Sequence, residues 1–185
     1  MSQRIRDQRE HEILSAALAE LQDKEATQIS MASLAARTGL TRTAIYQYFA
    51  SVDDIFAELV INDMADLVNT LEAEVSAFED PTDRIRAWVH ASLEHLSSGE
   101  HAIIRRLSEI NLANEKRGIV RALHGQFMDS LCSPVKELEL ENSPSVCAHI
   151  AAVVNSAANR VDLGFDFAYE ALSAEAFVMN AIRQN

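Results

Sequence analysis

The sequence predicts an all-α fold, and three observations carry that prediction. Glycine and proline are scarce, 5 and 3 in 185 residues, too few for the turns of a many-stranded β architecture. Alanine, leucine and glutamate, all good helix formers, are abundant. Apolar residues recur at helical spacing along most of the chain, in about nine blocks. Hydrophobic residues make up 48% and charged residues 24%, which supplies a core within an ordinary globular composition.

In chain order, Ile13, Leu14, Ala17, Leu18 and Leu21 share one face of a first helix over about residues 6–21. A polar break at 23–28 follows. Ser30 is an N-cap for a short second helix over 31–37. Thr38-Gly39 ends it, glycine taking a left-handed backbone at least cost. Thr41 caps a third short helix through Ile45 to about Tyr48. Ser51 with Asp54 forms a capping-box pattern. It opens a long fourth helix with Phe56, Val60, Met64, Leu67, Leu71, Val75 and Phe78 on one stripe.

Each proline follows a residue suited to capping: Asp80-Pro81, Ser133-Pro134 and Ser143-Pro144. Pro81 and Pro144 are therefore expected to begin helices, and Pro134 to begin or kink one. The helix after Pro81 aligns Ile85, Trp88, Val89, Ser92, Leu93 and Leu96 and stops near Gly99. A short helix with Ile103, Ile104, Leu107, Ile110 and Asn111 comes next, then a longer one with Ile119, Leu123, Phe127 and Leu131. An alanine-rich helix over about 144–163, apolar nearly all round, and a last one over about 169–183 close the chain.

Net charge is −12, which taken as an average argues against nucleic acid. The distribution reverses that argument. The first 50 residues hold six basic and six acidic residues, and the remainder ten and twenty-two. Residues 26–52 contain no acid at all, with Arg37 and Arg42 as their cations. A surface facing phosphate needs an absence of repelling carboxylates as much as a supply of cations.

Several classes find no support. Cys132 and Cys147 fit no metal or disulfide framework and are expected to be buried or idle thiols. His90 with Glu94, and His124 with Met128, stand at i, i+4 with no third ligand at a telling distance, so no metal is expected. No nucleophile elbow, glycine-rich phosphate loop or zinc-hydrolase motif occurs, so neither enzyme activity nor a cofactor is expected. No apolar run spans a bilayer and the first nine residues are polar, so the expectation is a cytoplasmic protein with no membrane partner.

The run Met31-Ala-Ser-Leu-Ala-Ala-Arg-Thr-Gly-Leu-Thr-Arg-Thr-Ala-Ile45 has the layout of a helix-turn-helix. Ala35 is small where two helices cross, Gly39 makes the turn, and Leu34, Leu40 and Ile45 fill the wedge. A helical hairpin with a chance alanine and glycine is the competing reading of these residues alone. Residues 13–59 as a whole resemble the DNA-binding domain of the TetR family of bacterial regulators. The resemblance rests on the first helix, this motif, and Ile45-Tyr46-Gln47-Tyr48-Phe49-Ala50-Ser51 followed by an acidic pair and Ile55. Two departures stand out. Asp23-Lys24-Glu25-Ala26 replaces the family's usual glycine and aromatic, and Val52 stands where a phosphate-binding lysine is common. Arg4, Arg6 and Arg9 could compensate from an N-terminal arm.

The resemblance implies a DNA-binding domain over 1–51 and an effector-binding and dimerisation domain over 52–185. It implies that Ser30 and Met31, with Thr41, Arg42, Thr43, Tyr46 and Gln47, face the duplex. Arg37 and Tyr48 are added as DNA-binding candidates, Arg37 weighed evenly against a solvated surface charge. Their chemistry suits the role: arginine can fork onto guanine and glutamine onto adenine, while threonine and tyrosine hydroxyls suit phosphate oxygens. The function implied is a transcription regulator, expected to be a repressor released from palindromic operator DNA by a small, largely apolar effector. A dimeric DNA-binding regulator controlled by a protein partner, and a helical binding protein that keeps the motif as scaffold, are the alternatives.

Trp88, Ser92, Asn111, His124, Phe127, Met128 and Asn155 offer mostly apolar walls with a few directing polar groups, the composition of a ligand pocket. Plain core is the competing reading for Trp88, Phe127 and Met128. Reading two separated half-sites needs two copies of the motif, so a homodimer is expected. Ile150, Val153, Val154, Ala157 and Val161, with Phe177 and Val178, are the expected interface, closing as a four-helix bundle.

Overall fold

A computed structural model describes residues 3–23, 29–105, 107 and 112–184. Among the described residues there are nine α-helices and no strand. They are α1 (Gln3–Gln22), α2 (Met31–Arg37), α3 (Arg42–Ile45), α4 (Val52–Ser76), α5 (Pro81–Leu96), α6 (Gly99–Arg105), α7 (Asn114–Glu137), α8 (Ser143–Asp162) and α9 (Phe167–Gln184). None is long and apolar enough to cross a membrane. The chain forms two compact units, Met1–Asp63 with Ile103–Ile119, and Met64–Ala102 with Val120–Asn185.

In the first unit, the expected faces of α1 to α3 and the start of α4 close on one core. Ile13, Ala17, Leu34, Ala35, Ile45, Phe49, Ile55 and Leu59 are buried together, and Leu107 joins them from the second segment. α1 begins at Gln3, earlier than its apolar stripe indicates. Arg4, Arg6 and Arg9 are therefore helical residues, not a loose arm. Arg6 pairs with Glu10 at 2.7 Å and Arg9 with Glu12 at 2.6 Å along the helix surface. The local polarity that reads as an arm is here a ladder of intrahelical pairs.

The second unit has its core around Trp88, with Ile85, Val89, Leu93, Leu131, Val135 and Val154. α5 packs on both α8 and α9, which also pack on each other. Asp80 caps α5 by accepting from the Thr82 and Asp83 amides, with Pro81 at the first turn as expected. Three expectations need correction. Phe78 is 46% exposed, because α4 stops at Ser76 before the stripe reaches it. α8 starts at Ser143, and its cap position is Asn142 at φ 54° with no side-chain cap bond, so Pro144 is second. α8 is also one-sided: Cys147, Ile150, Val154, Ala157 and Ala158 are buried while Ala148 and Ala152 are exposed. Alanine's small apolar surface tolerates either environment, which blurs a hydrophobic pattern. Pro134 lies inside α7, among its buried residues.

Candidate nucleic-acid interface

Local chemistry sets the geometry of α2 and α3. Ser30, extended at φ −142°, accepts from the Ser33 amide at 3.1 Å. The Ser33 hydroxyl accepts from the Ser30 amide in return, completing a capping box. The same hydroxyl lies 3.0 Å from the carboxylate of the buried Glu20 on α1. At the other end of α2 the Thr38 hydroxyl donates to the Leu34 carbonyl at 2.8 Å. Gly39 then turns the chain at φ 68°, and Leu40 donates back to the Ala35 carbonyl at 2.8 Å. A non-glycine residue reaches that conformation only at a steric cost.

Thr41 caps α3 by accepting from the Ala44 amide at 3.1 Å. Regular α-helix ends at Ile45, and residues 46–48 continue as turns, with Gln47 and Tyr48 donating to the Ala44 and Ile45 carbonyls. Ile45 and Phe49 anchor the inner face. Arg37, Thr41, Arg42, Thr43, Tyr46 and Gln47 are exposed, Ser30 and Tyr48 are half-buried, and Met31 is buried. Arg42, Thr43, Tyr46 and Gln47 are thus brought to one short, solvent-facing segment whose ends are pinned by caps and core. The hydroxyls of Ser30 and Thr41 each accept a capping bond, from the Ser33 and Ala44 amides.

The next cap continues the same construction. Ser51 accepts from the Asp54 amide at 3.1 Å, and the Asp54 carboxylate accepts from the Ala50 amide at 3.0 Å. Sequence reasoning missed the residue that completes this corner. Lys116, near the start of α7, reaches the Asp54 carboxylate at 2.7 Å and Glu58 at 2.9 Å. Burial alone would raise the Asp54 carboxyl, but the bonds from Lys116 and Ala50 outweigh it and hold the group below 3.8. Burial likewise pulls Lys116 down, and its two carboxylate partners hold it above 10.5.

Residues 13–59 match the family model described as bacterial regulatory proteins of the tetR family. Over these residues the chain carries a DNA-binding domain similar to that of the TetR family. That match covers the helix-turn-helix, the second half of α1 and the first turns of α4. Solved structures of the same fold extend the likeness over nearly the whole chain. A transcriptional regulator of the TetR/AcrR family from Thermobifida fusca has 20% identity and a TM-score of 0.77, covering 94% of this chain and 97% of its own. The TetR family transcriptional regulator PfmR from Thermus thermophilus has 20% identity and a TM-score of 0.70 over 92% and 97%. The transcriptional regulator FadR from Bacillus subtilis, solved with stearoyl-CoA, has 16% identity and a TM-score of 0.73 over 91% and 97%. At such identities the likeness establishes the fold. No curated protein matches the chain. With this domain over residues 13–59, the protein is a DNA-binding transcription regulator.

In the second unit the expected pocket residues are dispersed. Trp88, Ser92 and Phe127 are buried and Met128 is half-buried, whereas His124 and Asn155 are exposed. Asn111 lies outside the described residues. The Trp88 indole N–H donates to the Ser130 hydroxyl at 3.0 Å, and Ser130 donates to the Phe127 carbonyl. The Trp88 and Phe127 rings lie 5.1 Å apart, and His124 sits 6.0 Å from Phe127. Asn155 bonds the Ala151 carbonyl of its own helix. Ser92 is fully buried and its hydroxyl finds no partner among the described residues.

The expected interface residues divide as well. Ile150, Val154, Ala157 and Val178 are buried, Val153 and Val161 half-buried, and Phe177 is 63% exposed. Phe177 lines a hollow of about 320 Å³ with Val153, Arg160, Tyr169 and Glu170. Arg160 pairs with the buried Glu170 at 2.8 Å and stacks on Phe165, 3.9 Å from its ring centroid. On another face Glu175 takes bonds from His90 at 2.6 Å and Arg86 at 2.8 Å. The His90 bond, opposed by burial and aided by Arg86, holds Glu175 below 4.5. The thiols of Cys132 and Cys147 are both free, and Cys147 is pushed up to about 12 by burial and by its neighbour Cys132.

Proposed function

We propose that the protein is a homodimeric, cytoplasmic repressor that grips a palindromic operator and leaves it when a small, largely apolar effector enters the second unit. The observation that carries the reading is the short segment of Arg42, Thr43, Tyr46 and Gln47. It is exposed, pinned at both ends, and set in a stretch free of acidic side chains. Arg42 and Gln47 are the base-reading groups, Arg42 onto guanine and Gln47 onto adenine. Thr43 and Tyr46 meet phosphates and fix register. Arg37 and Tyr48 flank the segment and add backbone contacts.

Dimerisation is supported by the α8–α9 surface. Leu163, Tyr169, Leu172 and Phe177 are each more than 60% exposed, with Phe165 and Phe167 beside them. Such a concentration of large apolar side chains exceeds what a monomer usually leaves in water. A second copy covering Val153, Val161 and Phe177, over the buried row of Ile150, Val154, Ala157 and Val178, removes it. An effector site is supported by the unpartnered Ser92 hydroxyl, one turn from Trp88 in an otherwise apolar interior. Stearoyl-CoA, held by the Bacillus subtilis regulator of this fold, has the apolar chain proposed for the effector. The test is a band shift on a duplex selected from random sequence, repeated with a panel of acyl and aromatic metabolites. Retention of a palindromic duplex and its release by an apolar compound fit the reading; a duplex that no apolar compound releases contradicts the effector assignment.

A further inference from the structure

Lys116 occupies a position whose use goes beyond the recognition segment itself. Its ammonium has three donors, and three acceptors surround it: the Asp54 carboxylate at 2.7 Å, the Asp54 carbonyl at 3.0 Å and the Glu58 carboxylate at 2.9 Å. All lie within the first unit, to which residues 103–119 belong despite their distance along the chain. The second oxygen of Asp54 accepts from the amide of Ala50, the residue directly after Tyr46-Gln47-Tyr48-Phe49. Tyr48 and Phe49 line the same hollow of about 470 Å³ as Lys116, Asp54 and Glu58. A continuous set of polar contacts thus runs from the start of α7, through one carboxylate, to the end of the recognition segment.

We infer that Lys116 is a positioning residue for DNA binding, fixing the recognition segment by clamping Asp54 and Glu58 on the first turns of α4. The inference rests on the DNA-binding reading above. Without the ammonium, Asp54 and Glu58 face each other one helical turn apart as unpaired like charges. The bond from Ala50 to Asp54 is then left to resist that repulsion by itself. Lys116 meets no phosphate in this arrangement, because its donors are already spent on protein acceptors. Removing it therefore lowers affinity by misplacing Arg42, Tyr46 and Gln47, not by subtracting a cation from the DNA.

The experiment compares full-length wild type, Lys116→Met and Lys116→Arg on a duplex selected by the wild type from a random-sequence pool, across a salt series. Lys116→Met is expected to weaken binding about tenfold with the slope against salt unchanged. Lys116→Arg, which keeps the charge and can fork onto both carboxylates, is expected to recover most of the loss. Lys116→Gln takes the place of Lys116→Met if the latter is not folded by circular dichroism. Folded neutral variants that bind as tightly as wild type overturn the inference. So does a loss accompanied by a slope shallower by about one per subunit, which marks a direct phosphate contact. Failure of Lys116→Arg to restore binding overturns it as well. Failure of the wild type to enrich any duplex overturns the DNA-binding reading instead, before Lys116 is tested.

Discussion

The hydroxyl of Ser92 is fully buried without a partner among the described residues, and a buried polar group left unbonded costs roughly 1–3 kcal/mol. Ser92→Ala is therefore expected to stabilise the ligand-free protein, raising Tm by about 2–4 °C for each kcal/mol recovered. A thermal melt with Tm unchanged or lowered would mean that the hydroxyl has a use in the folded chain. Arg42→Ala and Tyr46→Ala act in the first unit. Each is expected to weaken DNA binding with helicity intact, Arg42→Ala by roughly 1–3 kcal/mol with relaxed preference at one base position. Full affinity in both folded variants contradicts the assignment. At this scale, legibility followed sequence distance. The caps of Ser30, Thr41 and Ser51 were readable because each acts on an amide three residues ahead. Lys116 was not, because its partners lie 62 and 58 residues back along the chain. The bond between Trp88 and Ser130, spanning 42 residues, was hidden for the same reason.

Among the elements, α2 and α5 were readable almost to the residue because each has its own start signal, Ser30 and Asp80-Pro81. α1 begins earlier than its apolar stripe, at Gln3, since polar residues extend a helix without marking it, and α9 begins at Phe167, two residues before the expected start. The extension of α1 bears on DNA affinity. With Arg6 and Arg9 engaged by glutamates, few cations remain for phosphate. About two to four basic contacts per subunit give a slope of log affinity against log salt of roughly −4 to −7 for a dimer. A steeper slope means that those arginines leave their partners on DNA. Val52, half-buried at the start of α4, lacks the charge common there in the family. Val52→Lys is expected to tighten binding and steepen the slope, and absence of both effects makes that departure irrelevant.

The joint of α4 with α7 also has a pH signature. Asp54 is depressed below 3.8, so its contribution to stability is present above that value and lost as pH falls through the depressed one. Glu175 has the same sign below 4.5. Lys116 is raised above 10.5, so its contribution is complete below that value and lost only as pH rises past it. These pairs predict stability that is level through neutral pH and falls towards acid. Denaturant melts between about pH 3 and pH 8 check this; a maximum near pH 4 would show that the pairs do not hold in solution.

For the molecule as a whole, the all-helical class was legible from composition and period, since few glycines and prolines leave little else. The division into units was less so. Residues 103–119 join the first unit through Leu107 and Lys116, and nothing in their local pattern separates them from the helices on either side. The proposed dimer follows from the exposed aromatics of α8 and α9. Truncation before Tyr169 is expected to give monomers or aggregates that no longer shift palindromic DNA, and full-length protein a dimer by light scattering at micromolar concentration. Both depend on the claim that two recognition segments read one duplex. Hydroxyl-radical footprinting of the wild type on its selected duplex tests that claim most directly. Two protected half-sites are expected on one face of the DNA, about one helical turn apart centre to centre or a multiple of it, both lost in Arg42→Ala. A single protected stretch, or two that persist unchanged in Arg42→Ala, would contradict it.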